Sequence, residues 1–142
     1  MPGMFSRFDA ERIVAAIAKA ERDSSGEIRV HLTSHKPEGI EERAVRRFQL
    51  LGMDRTRERN GVLIYVAPRS RRFRIIGDVG IHEKCGAYFW REVAAGMEEH
   101  FRRGDFTEGV VHGVERVGEV LARHFPRAAE DRNELPDQVT ED

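Results

Sequence analysis

The stretch from Asn60 to Gly80, NGVLIYVAPRSRRFRIIGDVG, limits the folds open to this chain more than any other. Gly61 to Ala67 is an unbroken apolar run rich in β-branched residues, the pattern of a strand buried on both faces. Pro68-Arg69-Ser70-Arg71 supplies turn residues, and Phe73, Arg74, Ile75 and Ile76 resume an extended pattern. So short a connection predicts antiparallel pairing of the two strands.

Upstream, Ile13, Ala16, Ile17 and Ala20 recur at helical spacing after Asp9, a good N-cap, and Asp23-Ser24-Ser25-Gly26 ends that helix. Ile28, Val30 and Leu32 then alternate with Glu27, Arg29 and His31, which predicts a strand with one wetter face. Thr33 to Gly39, with Pro37, reads as a loop. Ile40, Ala44, Phe48 and Leu51 share the buried face of a second helix that stops at Gly52, with Glu41, Glu42, Arg43, Arg46 and Arg47 toward water. Strand, helix and strand make a βαβ unit with a right-handed crossover, so its strands run parallel. Parallel unit and antiparallel hairpin together predict an α/β fold with a small mixed sheet.

Downstream, Phe89, Trp90, Val93, Ala94, Met97 and Phe101 mark a long helix ending at Gly104. Val110, Val114, Val117 and Leu121 mark another, capped by Asp105 or Thr107. Gly109, Gly113 and Gly118 lie inside this last helix, where each costs roughly 1 kcal/mol relative to Ala. Their use there is close approach to a neighbouring element. Beyond Phe125-Pro126 the polar, aperiodic RAAEDRNELPDQVTED predicts a disordered tail over 127–142, behind one domain spanning 1–126.

Composition supports one domain, with 142 residues, 39% hydrophobic and 35% charged. Lys and Arg (24) balance Asp and Glu (25), so there is no broad electrostatic case for nucleic acid. The Arg-rich run from Arg69 to Arg74 reads as a solvated strand edge. A single cysteine, Cys85, excludes an internal disulfide framework and fits a reducing compartment. The opening residues lack a signal-peptide core, and no apolar run approaches the roughly 20 residues of a membrane span. The expectation is a monomeric cytoplasmic protein with no direct membrane insertion.

The predicted hairpin brings Asp78, Gly80, His82 and Glu83 beside Asp54, Glu58 and Asn60. Carboxylates with an Asn carbonyl suit a hard cation such as Ca²⁺ or Mg²⁺. Asp-x-Gly and Asn-Gly are also turn chemistry in their own right. His82 can ligate a metal, act as an acid or base, or cap a helix. The other histidines show no HExxH spacing, and no Walker A, GxGxxG or GxSxG motif is present.

From Phe8 to Pro126 the chain resembles the TPM domain family. GEIRVHL stands for its first strand, FQLLGMDRTRERNGVLIYVAPRSRRFRIIGDVGI for its signature centre, and MEEHFRRGDFTEGVVHGVERVGEVLARHFP for its closing helices. The resemblance implies an α/β/α sandwich with helices on both faces of a small mixed sheet. It is greatest to the short, stand-alone bacterial form, with its GDxGIHEK stretch and closing HFP. Plant members are associated with acid phosphatase activity, some members look like divalent-cation binders, and others sit beside membrane anchors. His82-Glu83-Lys84 stands where longer members carry a Leu-Glu-Gly type loop and a following Asp. The leading expectation is a weak Ca²⁺ or Mg²⁺ site at Asp54, Glu58, Asn60, Asp78 and Glu83 in an interaction or stress-related module. One alternative is a metal-assisted acid phosphatase using Asp78 or His82. Another is a structural partner of a membrane-bound protein.

Overall fold

The computed structural model describes residues 8–34, 36, 38–127 and 139–142. Helix α1 (Ala10–Arg22) precedes strand β1 (Glu27–Leu32), helix α2 (Ile40–Leu50) and strand β2 (Gly61–Ala67). Strand β3 (Arg72–Gly77), helices α3 (Val79–Arg102) and α4 (Phe106–His124) and a short strand β4 (Val139–Glu141) complete the order. The sheet runs β3-β2-β1-β4. β1 lies parallel to β2, with Ile28 beside Val62, and β3 lies antiparallel to β2, with Val62 beside Gly77. The mixed sheet is the one expected from the βαβ unit and the hairpin.

Both faces of the sheet are covered. Ile28, Val30 and Leu32 of β1 and Val62, Ile64 and Val66 of β2 face α1, α3 and α4 in the larger core. Leu63, Tyr65 and Ala67 face Ile40, Ala44 and Phe48 of α2, with Met53, in a smaller one. β2 is therefore buried on both sides, which is why its sequence carries no alternation. β1 departs from its expected wetter face, because Glu27, Arg29 and His31 are buried as deeply as their apolar neighbours. His31 on that face stacks on Tyr65 of β2 and meets Thr140 of β4.

The cap of α1 and the glycines of α4 are as expected, whereas α4 starts after Asp105 with no side-chain cap, and Thr107 Oγ1 accepts from the Asp9 N–H at 3.0 Å instead. Asp9 caps α1, its side chain accepting from the Arg12 N–H at 3.2 Å. The α4 glycines serve close approach, since a Cβ on Gly109 would fall 2.5 Å from the Phe101 ring, one on Gly113 2.6 Å from Met97 Sδ, and one on Gly118 2.6 Å from Ala20 Cβ. α3 begins earlier than its apolar spacing indicates. Asp78 caps it, and residues 79–85 are helical before Gly86, at φ 74°, kinks the chain.

The disordered-tail expectation is corrected at its two ends. Arg127 Nη1 donates to the Glu21 carbonyl at 2.8 Å. Val139–Glu141 pairs with β1 in parallel, Val30 beside Val139 and Leu32 beside Glu141. An open sheet edge offers backbone donors and acceptors that even a polar, aperiodic segment can satisfy. Residues 128–138 of that tail, the first seven residues, and His35 and Pro37 of the predicted loop lie outside the described residues. Among the described residues no helix is long and apolar enough to cross a membrane.

Two expectations follow from this packing. Gly118→Val pushes a branched side chain into Ala20 and lowers stability by about 1–3 kcal/mol in urea denaturation; an unchanged midpoint would mean that α1 and α4 do not meet there. The second concerns β4. Burial pushes the Asp142 carboxyl up, but hydrogen bonds from Thr33 and His31 and the charges of His31 and Arg47 outweigh this and hold it below the usual aspartate range. A carboxyl depressed on folding stabilises the docked state above its free value near 3.8 and loses that contribution as pH falls through the folded value. The amides of Thr140 to Asp142 should hold their docked chemical shifts above about pH 4 and lose them below it, before the helices melt. Release of β4 at neutral pH would contradict this.

Candidate functional site

The predicted site lies where β3 returns to the entrance of β2. The backbone builds the corner first: the Asp78 N–H donates to the Gly61 carbonyl at 2.9 Å, and the Gly80 N–H to the Arg59 carbonyl at 2.8 Å. A side chain on Gly80 has no room, because a Cβ would fall 2.2 Å from the Glu58 carbonyl oxygen and 2.6 Å from that of Arg59. Thr56 and Asn60 close the preceding loop. The Asn60 N–H donates to Thr56 Oγ1 at 3.2 Å, the Thr56 hydroxyl donates to Asn60 Oδ1 at 3.4 Å, and Asn60 Nδ2 donates to Ser25 Oγ at 3.1 Å. This loop carries Arg59 at φ 53°, the left-handed region.

Arg59 is the residue that sequence reasoning passed over. Its Nε donates to Asp78 Oδ2 at 2.6 Å and its Nη2 to Asp78 Oδ1 at 2.8 Å, a two-point fork. Asp78 is 6% exposed, and Oδ1 also accepts from the Val79 N–H at 2.8 Å, which caps α3. The hydrogen bond to Asp78 and the charge of Asp78 raise the Arg59 guanidinium, desolvation opposes them, and the charge of Asp54 adds to the rise. Arg59 thus answers to both aspartates. Asp54 stands on the single turn Met53–Arg55, and its Oδ1 is buried with no hydrogen-bond partner among the described residues.

The other candidates make no side-chain contact with Asp78 in the hydrogen bonds given for this corner. The side chains of Glu58 and Glu83 are exposed, and Asn60 Oδ1 is taken by Thr56. Among the described residues no three His, Cys, Asp or Glu side chains gather in a group that could hold a metal ion. Of the five oxygen ligands expected from the sequence, Asp78 already holds a cationic group and Asn60 Oδ1 accepts from a hydroxyl. His82 is exposed and its Nδ1 accepts from Trp90 Nε1 at 3.0 Å. Asp78 and His82, paired as candidate catalytic groups, are each engaged by a different side chain. Burial pushes the half-buried Cys85 thiol up, so this cysteine is not poised as a thiolate.

The corner makes a prediction of unusual sign. Gly80→Ala at an early helical position should stabilise by propensity, yet here the methyl meets two backbone carbonyls. The expected result is a net loss of about 1–3 kcal/mol in denaturation, with displaced amide resonances from Arg59 to Gly80. A neutral or stabilising substitution would mean that the corner is looser than its hydrogen bonds indicate.

The TPM domain model matches residues 1–120. Comparison with curated proteins gives no match. Among solved structures, the chain is similar to the BA42 protein from the psychrophilic bacterium Bizionia argentinensis, at 40% identity over 95% of each chain and a TM-score of 0.87. It is also similar to an N-terminal domain from P. gingivalis, at 25% identity over 80% of this chain and 76% of that one, with a TM-score of 0.63. The N-terminal domain of the cg2496 protein from Corynebacterium glutamicum shares the fold at 16% identity, over 93% of this chain and 77% of that one, with a TM-score of 0.60. A family model spanning most of the chain, and a relative that follows it almost end to end, place this chain in the TPM domain family.

Proposed function

We propose that this TPM domain is a non-enzymatic interaction module with a weak, exchangeable divalent-cation site at the entrance of β2. Asp78 and Asp54 would hold Ca²⁺ or Mg²⁺ there in place of Arg59. The observation that carries the reading is the Arg59 fork on Asp78, a guanidinium standing where a cation would stand. The partnerless, buried Asp54 Oδ1 fits an oxygen ligand that gains a partner when the ion arrives. A hard cation suits carboxylate and carbonyl oxygens but must compete with Arg59, which sets the affinity low, on the order of millimolar. Val79 and Tyr88 of α3, 54% and 68% exposed, offer a protein partner an apolar hold.

The phosphatase reading asks Asp78 or His82 to serve an attacking water or a leaving group. Asp78 is committed to Arg59 and to the cap of α3, and His82 to Trp90, so the binding reading has the better support.

Calcium titration followed by NMR tests the proposal. Wild-type resonances at Asp54 and Asp78 should move only near millimolar calcium, Arg59→Ala should tighten binding about tenfold or more, and Asp78→Ala should abolish it. Silence at the corner in both wild type and Arg59→Ala at about 10 mM calcium would end the reading. Hydrolysis of p-nitrophenyl phosphate that vanishes in Asp78→Ala would replace it with the enzymatic one.

A further inference from the structure

At the opposite end of the sheet, the outer edge of β1 carries a second built site. β1 ends there in Leu32, and the neighbouring polar side chains include His31, Thr33, Arg47 and Asp142. His31 is fully buried and stacked on Tyr65, ring centroids 5.4 Å apart at 20°, so its imidazole is oriented by the domain itself. Nδ1 lies 2.7 Å from Thr140 Oγ1, and Nε2 lies 3.2 Å from Asp142 Oδ1. The Thr140 hydroxyl donates to the Val30 carbonyl at 3.4 Å, which leaves its oxygen free to accept from the ring. Arg47 Nη2 donates to the other oxygen of Asp142 at 2.8 Å. The backbone of Asp142 also bridges the edge, donating to Leu32 O at 3.1 Å and accepting from the Ser34 N–H at 3.3 Å.

From this geometry we infer that the outer edge of β1 is a receptor for a short, extended acidic peptide from a partner protein, with Val139–Asp142 of this chain as its resident occupant. Alternation along a strand sorts the peptide's contacts. Thr140 and Asp142 share one face and meet His31 and Arg47, while Val139 faces the other way and packs against the larger core. The motif read is an apolar residue, a hydroxyl residue directly after it, and a carboxylate two places further on. Main-chain pairing supplies affinity and these side chains supply choice, the logic of strand addition to a sheet edge. The site is short at its upstream end, because the Ile28 N–H is already taken by the Glu21 carboxylate at 2.6 Å. Only three residues of β4 pair, so the resident holds a small share of what a folded strand gains and can be exchanged. Arg43 and Arg46 line the same cavity of about 180 Å³ as Arg47, Tyr65 and Asp142, more positive charge than one carboxylate uses. Acidic peptides are favoured over neutral ones for that reason.

The test keeps the full chain and opens the site with Thr140→Pro and Asp142→Ala together. The probe is the acetylated, amidated peptide Gln-Val-Thr-Glu-Asp, followed by calorimetry and by NMR of the His31 ring. The opened variant should bind the peptide about tenfold or more tightly than wild type, with the His31 signals shifting. A peptide ending in Asn should lose about tenfold, and so should the opened variant carrying Arg47→Ala, as expected when a charged hydrogen bond is removed. Asp142→Ala alone, which leaves the β4 backbone unchanged, should bind more tightly than wild type and guards against misfolding of the double variant. Equal affinity in wild type and both opened forms, or no binding near millimolar peptide, overturns the receptor. So do shifts confined to the Arg59 and Asp78 corner, and because the two sites lie at opposite ends of the sheet, failure of one leaves the other standing.

Discussion

The fold turns on the return of β3 along β2 and the pair of backbone hydrogen bonds that lock its end, Asp78 to Gly61 and Gly80 to Arg59. That lock places Asp78 at the mouth of β2 and at the N-cap of α3 at once. The lock sets where α3 leaves the sheet, and the kink at Gly86 then turns the segment whose Phe89, Val93, Met97 and Phe101 join the larger core. A carboxylate so deeply placed is costly unless it is paired and hydrogen-bonded. Arg59 and the Val79 N–H meet that cost, which makes one residue both a structural cap and the centre of the proposed cation chemistry.

The sheet separates two kinds of interior. Toward α1, α3 and α4 the packing is apolar and tight enough that glycines in α4 admit neighbouring side chains. Toward α2 the apolar patch is smaller, and β1 adds Glu27, Arg29 and His31 to the buried surface. Buried polar groups need fixed partners, and His31 has Thr140 of β4 at 2.7 Å and Asp142, just past it, at 3.2 Å. That is the physical reason a strand forms at this edge from a segment with no strand pattern.

Much of the architecture could be read from residue order. The apolar run Gly61–Ala67, the short Pro68-Arg69-Ser70-Arg71 connection and the helix between β1 and β2 were enough to specify a mixed sheet with parallel and antiparallel neighbours. The α4 glycines announced close approach because nothing else justifies their cost inside a helix. The family resemblance rested on the same central stretch that the TPM domain model matches. What could not be read was tertiary. Alternation in β1 marks two faces but not what covers them, so Glu27, Arg29 and His31 looked wet. Val139–Glu141 is too short for any period to register, and nothing in RTRERN distinguishes Arg59 from its neighbours before the corner sets it against Asp78. Counting oxygen ligands near one end of the sheet points to Asp54, Glu58, Asn60, Asp78 and Glu83, but the partners that already hold Asp78 and Asn60 are invisible to spacing.

The central claim is that Arg59 occupies a cation's place on Asp78, and its most direct test is the Arg59 side-chain Nε–H resonance during a calcium titration of the unmodified protein. This signal should begin shifted and protected by its bond to Asp78, and move toward a solvent-exposed position with the same midpoint as the Asp54 and Asp78 carboxyl carbons. An Arg59 signal that stays fixed while calcium shifts other parts of the molecule would contradict it.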